Sequence, residues 1–159
     1  MIIPFKNFEI QTIKMADCVE ELRPLREAHY FETEPVYKHH SVNVNWPHFV
    51  ACEAAGTAKC YGARLVDSQQ LIAYLLVYVV PSAYDSSMIA SDDGYYIVPE
   101  YRGSGLARRL LQFSEKRLKE LGVDYFLMSS RKPSGGANVG LLLEDEGFVP
   151  FATAYSKAL

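Results

Sequence analysis

The stretch Tyr96-Ile97-Val98-Pro99-Glu100-Tyr101-Arg102-Gly103-Ser104-Gly105-Leu106-Ala107-Arg108-Arg109-Leu110-Leu111 decides how this chain is read. An apolar strand runs through a glycine turn directly into a helix. Gly103 and Gly105 lack a Cβ, so the backbone there can take positive φ and lie close against a ligand. The first turn of the next helix leaves N–H groups without intrahelical partners, and with the helix dipole these attract an anion. Arg102, Arg108, Arg109, Lys116, Arg117 and Lys119 are opposed between residues 102 and 119 only by Glu115, although the whole chain carries −3. The stretch reads as a pyrophosphate cradle with local positive charge.

Two better-known phosphate loops are excluded by the residues after the glycines. A Walker loop needs Gly-Lys-Ser/Thr and a dinucleotide fingerprint needs G-x-G-x-x-G, whereas Gly103-Ser104-Gly105 leads into Leu106-Ala107-Arg108.

Outward from the turn, the rest of the chain falls into short elements. Phe8 to Lys14 alternates apolar and polar residues, the pattern of a half-buried strand. Asp17 and Glu20 form a capping-box pattern, so a helix is expected to begin near Asp17 and to kink or break at Pro24. His29 to Asn45 has no clear period and reads as a functional loop. A short helix is expected from Trp46 to Ala55, capped by Asn45 and closed by Gly56. Tyr61 to Val66 and Leu71 to Val80 read as strands joined by a turn, the second apolar enough to be central. A strand from Met88 to Val98 delivers the chain to the glycine turn. The helix after it carries Leu110, Leu111, Leu118 and Leu121 at helical spacing and ends at Gly122. A strand from Tyr125 to Ser130, a helix from Ala137 to Glu146 and a strand from Ala152 to Lys157 complete the order β-α-α-β-β-β-α-β-α-β.

Composition sets the class. The 159 residues suit one domain, residues 1–159, and 49% hydrophobic with 22% charged residues is ordinary for a globular chain. A pI of about 5.8 gives no general electrostatic reason to bind nucleic acid or an anionic membrane. Cys18, Cys52 and Cys60 are odd in number and sit in no metal-ligand spacing, and His39, His40 and His48 add no closed zinc site, so no metal is expected. The longest apolar run, Leu71 to Val80, falls far short of the ~20 residues of a membrane span. A cytoplasmic location is the expectation.

Arg102-Gly103-Ser104-Gly105-Leu106-Ala107 resembles the R/Q-x-x-G-x-G/A motif of the GNAT acyltransferases, with Arg102, Gly105 and Ala107 at its defined positions. The order of elements also resembles that fold, as does Gly147-Phe148 after the last helix. The resemblance implies an α+β domain with a central mixed sheet flanked by about four helices. It also implies that the strand before the turn splays from its parallel neighbour and that acetyl-CoA lies in the gap. By position, Ile97 and Val98 would face the pantetheine arm with backbone groups. The N–H groups of Gly103, Ser104, Gly105, Leu106 and Ala107 would hold the pyrophosphate, with Arg102 and Arg108 as charge partners. Asn138 would approach the pantetheine or the adenosine side, or simply cap the last helix.

The reaction implied is direct transfer of an acetyl group from acetyl-CoA to a primary amine of a small molecule or protein. A carboxylate in reach of the amine would accept its proton. Asp93 stands where many family members carry Glu, Asp or Gln, although Asp92-Asp93-Gly94 also reads as a bulge or turn. Leu143 occupies the position that often holds a tyrosine general acid, so that role falls to Tyr155, Tyr84, Ser129, Ser130 or water. The segment from Tyr30 to Trp46 would wall the acceptor pocket, with Glu32 and Glu34 either attracting a cationic amine or belonging to a solvated loop. Two other classes share the sequence features: a catalytically silent acyl-CoA-binding module acting through a protein partner, and a nucleotide-phosphate binder. A homodimer is a further family analogy.

Overall fold

A computed structural model describes residues 7–33, 42–130 and 139–153. The elements are β1 (Phe8–Ile13), α1 (Met15–Thr33), α2 (Trp46–Ala54), β2 (Ala58–Leu65), β3 (Leu71–Pro81), β4 (Met88–Ile97), a 3-10 turn (Pro99–Tyr101), α3 (Leu106–Glu120), β5 (Tyr125–Leu127) and α4 (Val139–Asp145). The strands form one sheet in the order β1-β2-β3-β4-β5, antiparallel up to β4 and parallel between β4 and β5. This is the mixed α+β sheet expected. Of the expected last strand, Ala152 and Thr153 are not in a strand, and residues 154–157 lie outside the described residues.

β3 is the middle strand, and its side chains divide between two cores. Ala73, Leu75, Val77 and Val79 face α3, where Leu106, Leu110, Leu111 and Leu118 are fully buried. Tyr74 and Leu76 face α1 and α2 and meet Leu22, Leu25, Trp46 and Phe49. Burial on both faces explains the nearly continuous apolar run. Each fully buried leucine adds roughly 2 kcal/mol of transfer free energy, enough to fix α3 on one face of the sheet.

α2 follows its local signals: Asn45 Oδ1 accepts from His48 N at 3.2 Å. α1 does not. It begins at Met15, and its first amides, Met15 N (2.7 Å) and Ala16 N (3.1 Å), donate to the carboxylate of Glu53 on α2. The cap is therefore tertiary, not the Asp17–Glu20 box. The irregular residue is Cys18 (φ −126°, ψ 15°), and the helix continues through Pro24 to Thr33. Pro24 leaves the Glu20 carbonyl without a donor, but both residues are exposed and water can serve it. The inward residues Leu22 and Leu25 hold the helix against the sheet. His29 to Thr33, expected in a loop, are its last turns.

Glu53→Ala is expected to lower stability by roughly 1 kcal/mol, read as a fall in the urea midpoint at constant m. Asp17→Ala should change it by less than about 0.5 kcal/mol. Equal losses would mean that the cap of α1 is local after all.

Candidate active site

The chain leaves β4, makes the 3-10 turn and enters α3 through two left-handed glycines, Gly103 (φ +76°) and Gly105 (φ +79°). A Cβ at either would meet nothing within 4 Å, so glycine is required here by conformation and not by packing. Ser104 Oγ donates to Tyr101 O (2.6 Å), and the fully buried Leu106 anchors the start of the helix. The first α-helical bond is Arg109 N to Gly105 O (3.1 Å). Ahead of it, the N–H groups of Gly103, Ser104, Gly105, Leu106, Ala107 and Arg108 donate to no protein acceptor among the described residues.

This run of donors adjoins an open strand edge. β4 pairs with β5 only from Ile89↔Tyr125 to Ser91↔Leu127, whereas its pairing with β3 continues to Ala73↔Ile97. Val98 N donates to Ile72 O (3.0 Å) and Val98 O accepts from Tyr101 N (3.0 Å), so both backbone groups of Val98 are engaged inside the fold. Successive residues address opposite neighbours, and the backbone groups that face the open edge are those of Tyr95 and Ile97. Of the two residues whose backbone groups were expected to meet the cofactor, Ile97 faces the open edge, with its carbonyl bonded to Arg102 Nε, and Val98 faces into the fold. Tyr95 turns its side chain beneath α3, donating to Ala107 O at 2.6 Å.

The register shift between β3 and β4 falls at the acidic pair. Leu76 faces Gly94 and Val77 faces Asp92, which leaves Asp93 as an extra residue in β4. A bulge of this kind bends the strand and re-aims side chains. Asp92 turns toward the chain after β5, where its Oδ1 accepts from Ser129 N (2.7 Å) and Ser129 Oγ (3.0 Å). Burial raises the pKa of Asp92, against the two Ser129 bonds that lower it. Asp93 turns the other way, toward α1, and its Oδ2 lies 2.8 Å from Arg26 Nη1.

Arg26, His29 and Glu32 stand three residues apart on α1 and all face β4. The Arg26 guanidinium lies 5.2 Å from the Phe49 ring centroid and 5.8 Å from that of Tyr74. Burial draws the Arg26 pKa down, but Tyr74 and Asp93 together raise it above its usual value. His29 Nδ1 is hydrogen-bonded to the Tyr74 hydroxyl (2.7 Å), and its ring stacks on Tyr96 at 5.5 Å. Gly94 makes room for this group: a Cβ there would come within 2.6 Å of Arg26 Nη1 and 3.1 Å of the Tyr74 ring.

Several sequence-based assignments change. Arg102 does not aim at the cradle; it forms a two-pronged pair with Glu32 (2.9 and 2.7 Å) and donates through Nε to Ile97 O (2.9 Å). Glu32 is accordingly no part of a solvated loop. Arg108 remains beside the run of donors but is shared with Asp145 (3.1 Å) and Glu146 (3.2 Å) from the end of α4. Arg117 pairs with Glu120, and Arg109 lies over Phe8 at 4.5 Å. Three of the six cations, Arg102, Arg108 and Arg117, are therefore answered by acids that the linear count between residues 102 and 119 did not include. Leu143 is buried in the α3-side core, and Tyr84 is fully exposed. Ser129 is tied to Asp92. Asn138, Tyr155, His39, His40 and Glu34 lie outside the described residues.

The sequence reading missed Arg26, His29 and Tyr74. The three-residue spacing of Arg26 and His29 on α1 was the available signal, but it was legible only if the helix ran past Pro24. Among the described residues no group of three or more His, Cys, Asp or Glu is placed to hold a metal ion, and no helix is long and apolar enough to cross a membrane.

Because the Asp92 pKa is raised in the fold, folding favours its protonated form: this contribution is full below the usual carboxylate range and is lost as pH rises through the folded value. Asp92→Asn keeps the acceptor oxygen for Ser129 and removes the partly buried charge. It should raise the urea midpoint at pH 7, with the gain vanishing below about pH 3.5. A gain of the same size at both pH values would show that the charge of Asp92 carries no cost.

The sequence matches the model of the acetyltransferase (GNAT) family over residues 19–144. No curated protein matches it. Among solved structures, the fold is similar to that of the ribosomal-protein-alanine N-acetyltransferase from Brucella melitensis biovar Abortus 2308. There the identity is 16% and the TM-score 0.73, covering 96% of this chain and 99% of that one. It is also similar to glucosamine-6-phosphate N-acetyltransferase from Arabidopsis thaliana (13%, TM-score 0.72, covering 96% and 98%). A third is an aminoglycoside acetyltransferase from an uncultured soil metagenomic sample, in complex with sisomicin (15%, TM-score 0.71, covering 96% of each). With the family model spanning most of its length, including the glycine turn and the bulged strand, the chain belongs to the GNAT family of acetyltransferases.

Proposed function

We propose that this acetyltransferase moves an acetyl group from acetyl-CoA directly to a primary amine of a small molecule or protein. The observation that carries the reading is the run of six N–H groups from Gly103 to Arg108, without acceptors among the described residues and one 3-10 turn beyond the open edge of β4. Such a run, on glycines that a Cβ would not crowd, fits a pyrophosphate. Arg108 adds charge, and the backbone groups of Tyr95 and the N–H of Ile97 face an extended arm, the Ile97 carbonyl being bonded to Arg102 Nε. Arg102 serves as a brace between β4 and α1. Asn138 and Tyr155 remain candidates for cofactor binding and acid catalysis respectively.

Acetyl-CoA would supply the acetyl group as a thioester open to attack by an unprotonated amine. Asp93 is the proposed proton acceptor. Arg26 holds one of its oxygens and the rings of Tyr74 and Phe49 hold Arg26, so the carboxylate is fixed in place with its other oxygen left for the amine or a bridging water. An N–H on the open edge of β4 would stabilise the oxyanion. Leu143 carries no proton, so the thiolate takes one from solvent or from another side chain.

At one hundred times its Kd, acetyl-CoA should stabilise the protein by about 2.7 kcal/mol and raise the melting midpoint by about 5 °C. Gly105→Val forces a branched residue into the left-handed region at a cost of roughly 1–3 kcal/mol, and acetyl-CoA should bind at least about tenfold more weakly. No shift in the wild type would sink the cofactor reading. Asp93→Asn should lower kcat by about a hundredfold with little change in acetyl-CoA affinity. Binding without turnover on any amine would leave the silent module that acts through a protein partner.

A further inference from the structure

The β4–β5 ladder is closed by a carboxylate at each end, and the two closures differ. At the start, Met88 N donates to Asp124 Oδ2 (2.8 Å) while Asp124 N donates to Met88 O (2.9 Å), so side chain and main chain act together. At the far end, among the described residues, no main-chain bond continues the ladder past the Ser91↔Leu127 pair. The amide of Ser129 is held instead by the side chain of Asp92, with the Ser129 hydroxyl on the same oxygen. A carboxylate thus stands where the next main-chain bond would form, and it keeps the chain after β5 one side chain's length from β4. This happens at the bulge, where β4 loses its second neighbour.

We propose that Asp92 is a positioning residue for acyl-CoA: as a spacer between β4 and Ser129, it sets the width of the opening that receives the thioester end of the cofactor. The inference rests on the acetyl-CoA reading above. Length is the essential property, because the spacer works by distance. Asparagine retains the acceptor oxygen at the same reach; glutamate retains the charge but moves it outward by one methylene; alanine removes the spacer.

The test is acetyl-CoA affinity by calorimetry on wild type, Asp92→Asn, Asp92→Glu and Asp92→Ala, with the Ser129 amide followed by NMR in the cofactor-free proteins. Asp92→Ala should weaken acetyl-CoA by at least about tenfold and shift the Ser129 amide upfield as its bond to the carboxylate is lost. Asp92→Asn should stay within about threefold of wild type, and Asp92→Glu should lose affinity nearly as Ala does. In turnover, the KM for acetyl-CoA should rise while that for the amine stays level. If Asp92→Ala does not fold, the Asn and Glu variants decide by themselves. Affinity in Asp92→Glu within about threefold of wild type overturns the spacer, as does equal loss in Asn and Ala, which would make charge the operative property. A wild type that binds no acetyl-CoA overturns the cofactor reading and this inference with it, an outcome distinct from a wild type that binds and an Asp92→Ala that binds equally well.

Discussion

The bulge at Asp93 inserts one residue into β4 opposite the Leu76–Val77 step of β3, and the site is arranged around that insertion. Without it, Asp92 and Asp93 would alternate regularly across the sheet in step with β3. With it, Asp92 reaches toward Ser129 beyond the end of β5, while Asp93 reaches Arg26 under α1. Neighbouring residues of a strand face opposite sides in any case; the insertion decides which side each of the two carboxylates takes relative to Gly94 and the residues after it. The insertion also coincides with the end of the β4–β5 ladder, so among the described residues the rest of that β4 edge has no neighbouring strand, and its Ile97 carbonyl is taken by Arg102 Nε. An exposed edge is normally a hazard; here it is short and runs straight into the glycine turn.

α1 is held over this strand by two ion pairs of opposite polarity. Arg26 gives a cation to Asp93, and Glu32 gives an anion to Arg102. His29 lies between them, bonded to Tyr74 and stacked on Tyr96. Half-buried pairs of this kind contribute modestly to stability and strongly to registry, because any slide of α1 along β4 would strand charges of either sign. The aromatic rings beneath the guanidinium groups add directional contact. The proposed base is thus rigid through its neighbours, while the donor run from Gly103 to Arg108 is rigid through backbone conformation. The two halves of the site use different physics.

The sequence alone determined the features that depend on neighbouring residues. The glycine turn requires positive φ at Gly103 and Gly105, and only glycine takes it readily, so the turn into α3 was legible from Arg102 to Ala107. The double-sided burial of β3 was legible from its unbroken apolar run, and the cap of α2 from Asn45. The order of elements followed, and with it the fold. The bulge was one of two readings open at Asp92-Asp93-Gly94, because extra residues in a strand are defined by the partner strand and not by the strand itself.

Tertiary structure decided whatever depends on partners distant in the chain. Glu53 caps α1 from 37 residues away, so the local Asp17–Glu20 pattern was outcompeted. Pro24 was expected to break α1, yet Leu22 and Leu25 hold the helix on the sheet across it. Arg102 matched a motif position but is drawn from the cradle by Glu32, 70 residues earlier, and Arg108 is shared with acids of α4. Charge acts through space and is satisfied by whichever opposite charge the fold brings near. The glycine backbone has no such choice, which is why the turn could be read from the sequence and the roles of its arginines could not.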